Sequence, residues 1–189
     1  MLAQSYNEPI IYSPSVMAKP PRLLKIESAW EGLEQIIISL IRDFNLPVQS
    51  CLEFGVEFGY STVAFSHFFK KVVGVDTFEG DVHTAHKGNH YESTKKVLSV
   101  FKNIELHKSD YRDWIKEDTN NYDLIHVDII HTYEDTYECG LWGAQHSKCT
   151  IFHDTESFPD VKKAVKNIAQ FTGKRFLNYP FHYGLGIII

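Results

Sequence analysis

Long apolar runs, clustered basic residues and paired cysteines are all missing from this sequence, and each absence removes a class of function. No apolar run approaches the ~18 residues of a membrane-spanning helix, and the N-terminus lacks the basic and apolar regions of a secretory leader. A soluble, cytoplasmic protein with no membrane partner is expected. Lys and Arg total 19 against 24 Asp and Glu, a formal net charge of −5, and the cations are scattered singly. A nucleic-acid backbone calls for a clustered positive face, so nucleic acid is not an expected partner. The three cysteines, Cys51, Cys139 and Cys149, are odd in number and show no C-x-x-C spacing. That pattern argues against a disulfide framework or a zinc site and for buried, reduced thiols.

What is present is enough for one core: 189 residues, 43% hydrophobic and 14% aromatic, within the size of a single domain. Residues 1–22 carry Pro9, Pro14, Pro20 and Pro21 and no sustained periodicity. They read as an irregular N-terminal arm, either a loose terminus or a strap over a site. Residues 23–189 then form the single domain.

Ser28-Ala-Trp-Glu31 has the form of a capping box, and Trp30, Leu33, Ile37, Leu40, Ile41 and Phe44 follow at helical spacing up to Pro47, which predicts a helix with one buried face. Strands are predicted at Cys51–Glu53, Lys71–Asp76, Ile104–His107, Tyr122–Asp128 and Cys149–His153, with helices between them. Strand, helix, strand at this spacing implies right-handed crossovers and a parallel sheet. The tail gives two more strands, Arg175–Tyr179 and Tyr183–Ile189, whose short connection through Pro180 requires them to be antiparallel. The expected fold is a Rossmann-like, doubly wound α/β sheet of seven strands with an antiparallel last strand and helices on both faces.

In such a sheet ligands bind at the carboxyl ends of the strands, near the point where strand order reverses. Glu53, Asp76, Ser109-Asp110, Asp128 and Asp154 all fall there. The segment from Thr77 to Tyr91, with His83, His86 and His90, is too polar for core and reads as a surface loop beside that site. A solvated loop with incidental histidines is its plainer meaning.

The stretch Cys51-Leu-Glu53-Phe-Gly55-Val-Glu57-Phe-Gly59-Tyr-Ser61 is a strand turning sharply into a helix, with glycines where backbone passes close to a ligand. A dinucleotide site would carry G-x-G-x-x-G and present a helix N-terminus to a pyrophosphate. Here Glu53 and Glu57 would repel one. Carboxylates instead favour a cofactor that carries positive charge and no phosphate.

On these residues the sequence resembles the class I S-adenosylmethionine-dependent methyltransferases. The resemblance implies that the Gly55–Gly59 turn, with Glu53, Glu57 and Ser61, lies against the cofactor. It further places Asp76 and Thr77 at the ribose, Ser109 and Asp110 near the adenine, and Asp128 beside the cofactor. Val75-Asp-Thr-Phe-Glu-Gly-Asp81-Val-His83, Asp123-Leu-Ile-His-Val-Asp128-Ile-Ile-His131 and Phe152-His-Asp154-Thr155 are similar to the small O-methyltransferase-like family linked with sugar and natural-product modification.

That likeness spans roughly Cys51 to Ile189. It implies a small-molecule hydroxyl acceptor and Mg²⁺ held by Asp128 and Asp154. It also makes Asp128 and His131 catalytic, with His131 as general base, and dimerisation, common in such small enzymes, makes a homodimer one expectation. In metal-free relatives the acid after the fourth strand contacts cofactor or acceptor instead, and His131 also reads as a helix-start cap. Ile129 stands where relatives have Gly, Ser147–Thr150 where they have a Pro-Gly-Gly turn, and the third metal ligand is open between His153 and Thr155. These departures keep alive a domain that binds the cofactor without transferring methyl.

Overall fold

The computed structural model describes residues 8–84 and 87–189. One eight-stranded sheet runs through the molecule in the order β1-β7-β8-β6-β5-β2-β3-β4. Its strands are β1 (Ile10–Ile11), β2 (Ser50–Phe54), β3 (Lys71–Asp76), β4 (Ile104–Lys108), β5 (Tyr122–Val127), β6 (Ser147–His153), β7 (Phe176–Tyr179) and β8 (Leu185–Ile188). The helices are α1 (Ile37–Asp43), α2 (Tyr60–Phe68), α3 (Tyr91–Leu98), α4 (Tyr111–Glu117), α5 (Tyr133–His146) and α6 (Pro159–Thr172). Among the described strands only β8 runs antiparallel to its neighbours, β6 and β7. The doubly wound sheet with its antiparallel last strand is therefore the expected fold, with one strand more than the seven foreseen.

Strand alternation builds two cores from the same strands. Cys51, Val72, Leu124, Ile151 and Ile187 point to the face covered by α1 and α2. Their neighbours Leu52, Val73, Ile125, Phe152 and Ile188 point to the face covered by α5 and α6. Burial on both faces is why these strands read as nearly continuous Val, Ile and Leu rather than as alternating polar and apolar residues. No helix among the described residues is long and apolar enough to cross a membrane.

Two expectations need correction. The eighth strand comes from the arm: Ile10 and Ile11 pair in parallel with Leu177 and Asn178, and the Tyr12 amide donates to the Asn178 carbonyl at 2.8 Å. The arm then lies along α1, tied by Tyr12 Oη to Asp43 at 2.7 Å and by the Val16 amide to Ser39 Oγ at 2.7 Å. It ends at Arg22, whose guanidinium donates to the Ser66 carbonyl. Hydrogen bonds to residues distant in sequence order this segment, and they leave no periodicity to read. Residues 1–7 lie outside the described residues.

The second correction is the start of the first helix. Ser28–Gly32 form turns, a 3₁₀ turn covers Leu33–Ile36, and regular helix begins only at Ile37. Gly32 has φ of 105°, and a Cβ there would lie 2.1 Å from the His182 ring. Ser28 Oγ does accept a backbone bond, from Trp30 at 3.2 Å, but it caps a turn rather than a helix.

All three cysteines are free and buried. Burial pushes their thiols up, that of Cys149 to about 12, so none is a thiolate at neutral pH. Native protein is expected to leave Ellman's reagent unreacted, and protein in denaturant to react at all three thiols. Rapid reaction of the native protein would contradict this packing.

Candidate active site

Strand order reverses around β2, which pairs with β3 on one side and β5 on the other. A cavity of about 600 Å³ opens over the carboxyl ends of β2, β3, β5 and β6, and Gly55, Glu57, Asp76, Thr77, Ser109, Asp110, Asp128, His131 and Asp154 line it. Nine of the residues singled out in the sequence thus meet at one opening.

The glycine turn is shaped by what lies beneath it. Gly55 has φ of 90°, and a Cβ at this position would lie 1.7 Å from the Asp128 carbonyl oxygen. The turn therefore passes directly over the end of β5, which no other residue permits without a shift. Gly59, with φ of 88°, heads α2 in the left-handed region. Asp76 fixes the loop from the other side: its Oδ2 accepts from the Val56 and Glu57 amides, both at 2.8 Å, and its Oδ1 from the Phe78 amide at 2.6 Å.

Glu53 and Ser61 are placed differently. Glu53 is 0% exposed, accepts from the Ser61 and Thr62 hydroxyls, and meets His126 Nδ1 at 2.9 Å. It supports the turn from below and does not line the main cavity. Ser61 faces a smaller cavity of about 50 Å³ beside it.

Beside the turn sits a charged cluster. Asp128 follows β5, Asp154 follows β6, and His131 lies between β5 and α5. One ligand atom from each lies within 4.8 Å of the others. His131 Nε2 is 3.1 Å from Asp154 and 3.5 Å from Asp128, while His153 Nδ1 is 3.1 Å from Asp128. Burial by itself would raise the Asp128 carboxyl. The charge of His153 and bonding to both histidines outweigh that and hold it far below the usual carboxylate range. Burial would likewise lower His131, but the two carboxylates raise it to about 9.

Asp154 takes φ of 65°, unusual for a residue with a side chain and characteristic of functional sites. The Ser157 and Phe158 amides hold it there by donating to its carbonyl, at 3.1 and 3.0 Å. Thr155 is turned away, its hydroxyl donating to Asn178 at 2.6 Å, so the third member of the cluster is His131, with His153 beside Asp128.

Thr132, not His131, caps α5 by accepting from the Asp135 amide. No Pro-Gly-Gly turn is needed before β6. The strand starts directly after α5, and Lys174 Nζ satisfies the carbonyls of Ala144 and Ser147 at 2.6 and 3.0 Å.

Sequence reasoning passed over Phe158, Tyr111 and Arg112, and it weighed His83 as an incidental loop histidine against a ligand for acceptor or metal. Phe158 stacks on the His131 ring at 4.2 Å and 14°. His83 stands edge-on to both rings at 5.1 Å, so the loop does deliver a histidine to the site. His86 lies outside the described residues. At the far end Tyr111 and Arg112 line the cavity, and the Tyr111 hydroxyl bonds to Asp135 at 2.8 Å. Their position directly after Ser109-Asp110, and that of Phe158 just after Asp154, were the available signals.

The model of a family described as a methyltransferase domain matches residues 52–155. No curated protein sequence matches the chain. Among solved structures, an SAH-bound methyltransferase of Podospora anserina is similar at 14% identity, over 87% of this chain and 79% of that one, with a TM-score of 0.61. The O-methyltransferase of Bacillus cereus in complex with SAH is similar at 12% identity, 88% and 84% coverage and a TM-score of 0.60. A SAM-bound amino pentose methyltransferase of Micromonospora echinaspora, involved in calicheamicin biosynthesis, gives 10%, 86%, 91% and 0.62. At these identities the likeness is one of fold.

Two outcomes are expected from this geometry. Gly55→Ala should lose at least about 2 kcal/mol of stability in urea unfolding, since it combines a left-handed φ with a backbone clash; a loss under about 0.5 kcal/mol would contradict the close approach to Asp128. In metal-free protein the His131 imidazole should titrate near 9 by NMR, and titration at or below ~6.5, the ordinary imidazole value, would show that the carboxylates do not engage it.

Proposed function

Because this chain belongs to the methyltransferase domain family, matched over residues 52–155, we propose that it is a cytoplasmic S-adenosylmethionine-dependent O-methyltransferase. Its acceptor is a hydroxyl of a sugar or small natural product, with Mg²⁺ assisting. The observation that carries this reading is the convergence of Asp128, His131 and Asp154 on the cavity that the glycine turn and Asp76 also line.

The cofactor half is acidic. Glu57, Asp76 and Asp110 all face the cavity, a setting that suits a sulfonium and an ammonium and disfavours a pyrophosphate. Asp76 accepts three backbone bonds of the about four its two oxygens offer, which leaves capacity for a ribose hydroxyl. A small acceptor is supported by the cavity's size of about 600 Å³, and the sugar-modifying methyltransferase of like fold points the same way.

The residues present fit a divalent cation: two carboxylates, close together and largely withdrawn from water, offer hard oxygen donors to a dication, and the His131 imidazole beside them is left to act as base. Asp128 and Asp154 would hold it. When bound, such an ion lowers the pKa of a hydroxyl oxygen and fixes its position.

The chain's own residues supply the rest. The Gly55–Gly59 turn and Asp76 hold the cofactor so that acceptor oxygen and methyl carbon meet in line, a positioning effect worth on the order of 7 kcal/mol at favourable geometry. As the oxygen–carbon bond forms, the sulfur–carbon bond breaks and its electron pair returns to sulfur. The acceptor's proton passes to His131 Nε2. That transfer needs neutral imidazole, and His131 is held protonated by its two carboxylates in the metal-free cluster; once their charge is engaged elsewhere, the ring returns toward its ordinary range.

A second reading, a domain that binds the cofactor without transferring methyl, is favoured by one observation: both His131 ring nitrogens are closed off from solvent. Turnover separates the two. On a panel of hydroxyl acceptors, His131→Ala should lower the rate by about 10²-fold with cofactor affinity nearly intact. Asp154→Asn should weaken Mg²⁺ binding at least 10-fold in calorimetry. Full-rate His131→Ala enzyme would end the general-base assignment, and wild-type binding without turnover on any acceptor would favour the second reading.

A further inference from the structure

The proposed chemistry leaves a buried polar chain unused. Glu53 and His126 are paired in the register of β2 and β5, so their side chains share one face of the sheet. Both are 0% exposed, and His126 Nδ1 lies 2.9 Å from Glu53 Oε1. On its other side His126 Nε2 accepts from Trp30 Nε1 at 3.1 Å. An indole N–H only donates, so Nε2 carries the lone pair and the ring proton sits on Nδ1, where it is given to Glu53. These two contacts hold the His126 ring in one tautomer. The Ser61 and Thr62 hydroxyls complete the set by donating to the Glu53 oxygens.

This chain joins three separate pieces of the cofactor site. Ser61 and Thr62 lie in the first turn of α2, and Glu53 precedes the glycine turn. Trp30 closes the segment from Ile26, which walls the smaller cavity together with Gly55–Phe58. Ala29, Gly55, Glu57 and Asp128 line both cavities, so any shift of that wall is felt at the main opening. Packing agrees with the bonding: the Trp30 ring stands edge-on to His126 at 5.3 Å and to Phe65 of α2 at 5.1 Å. Hydrophobic residues of similar volume would fill this space without the desolvation cost of a buried carboxylate. What a polar chain adds is a fixed distance and direction between wall and turn.

We propose that Trp30, His126 and Glu53 form a positioning relay that sets the 26–30 segment against the glycine turn and thereby tunes cofactor affinity. The affinity half rests on the cofactor reading above, whereas the geometric half does not.

The test uses the intact chain. In wild-type protein the ¹⁵N shifts of His126 should report a neutral ring protonated at Nδ1; a ring protonated at Nε2, or an imidazolium, would overturn the relay without any variant. Trp30→Phe removes the indole donor with little loss of ring volume. It should speed amide exchange at Val56 and Glu57 at least 10-fold and weaken S-adenosylhomocysteine binding about 5- to 10-fold.

His126→Asn keeps a donor near the Nδ1 position but drops the acceptor for Trp30, and should match Trp30→Phe. Trp114→Phe is the control: it deletes an indole bond of similar length, 3.0 Å to Asp118, and should leave both readouts at wild-type values. Loop amides in Trp30→Phe that exchange no faster than in the control, at equal loss of melting temperature, would reduce Trp30 to a packing residue. If wild-type protein fails to bind S-adenosylhomocysteine, the cofactor reading falls, and the ring tautomer and loop amides still decide the relay.

Discussion

A carboxylate with no exposed surface lies under the first turn of α2, and the opening above it depends on that charge being satisfied. Glu53 meets two hydroxyls and one imidazole N–H and sits at the positive end of a helix dipole. Left unpaired, a buried carboxylate would cost several kcal/mol. Paired as it is, it fixes the end of β2 and the start of α2 in one arrangement, so the glycine turn between them can pass over Asp128 with no room to spare. The cavity's floor is set by electrostatics, and its shape follows.

The second cluster inverts that logic. Asp128 and Asp154 converge without enough donors of their own, and His131 and His153 gather around them. Mutual attraction between carboxylate and imidazole shifts Asp128 down and His131 and His153 up from their ordinary values, as expected where a site is built for chemistry rather than for stability alone. Glu53 is closed and saturated. The Asp128 cluster faces the cavity and retains buried nitrogens without hydrogen-bond partners.

Much of this was legible from residue order. Strand-terminal acids and Val- and Ile-rich runs placed Asp76, Asp128 and Asp154 at one edge of a parallel sheet, because the doubly wound topology leaves few other places for them. Glu53 shows where such reading stops. Its position at a strand end resembles that of Asp76, yet the pleat turns it inward to His126, a partner 73 residues away that no local pattern reveals. The arm was missed for a related reason: its order comes from Ser39, Asp43 and Ser66, not from periodicity of its own. The predicted helix starts late, beyond Gly32, where His182, from the far end of the chain, occupies the space a side chain would need.

The central claim is that an acidic opening at the strand ends holds a cationic nucleoside cofactor rather than a dinucleotide. Calorimetric titration of the purified protein with S-adenosylhomocysteine and with NADH, each with and without Mg²⁺, tests it most directly. Saturable binding of one S-adenosylhomocysteine per chain with no detectable NADH binding is the predicted result; tight NADH binding with none of S-adenosylhomocysteine would contradict the account.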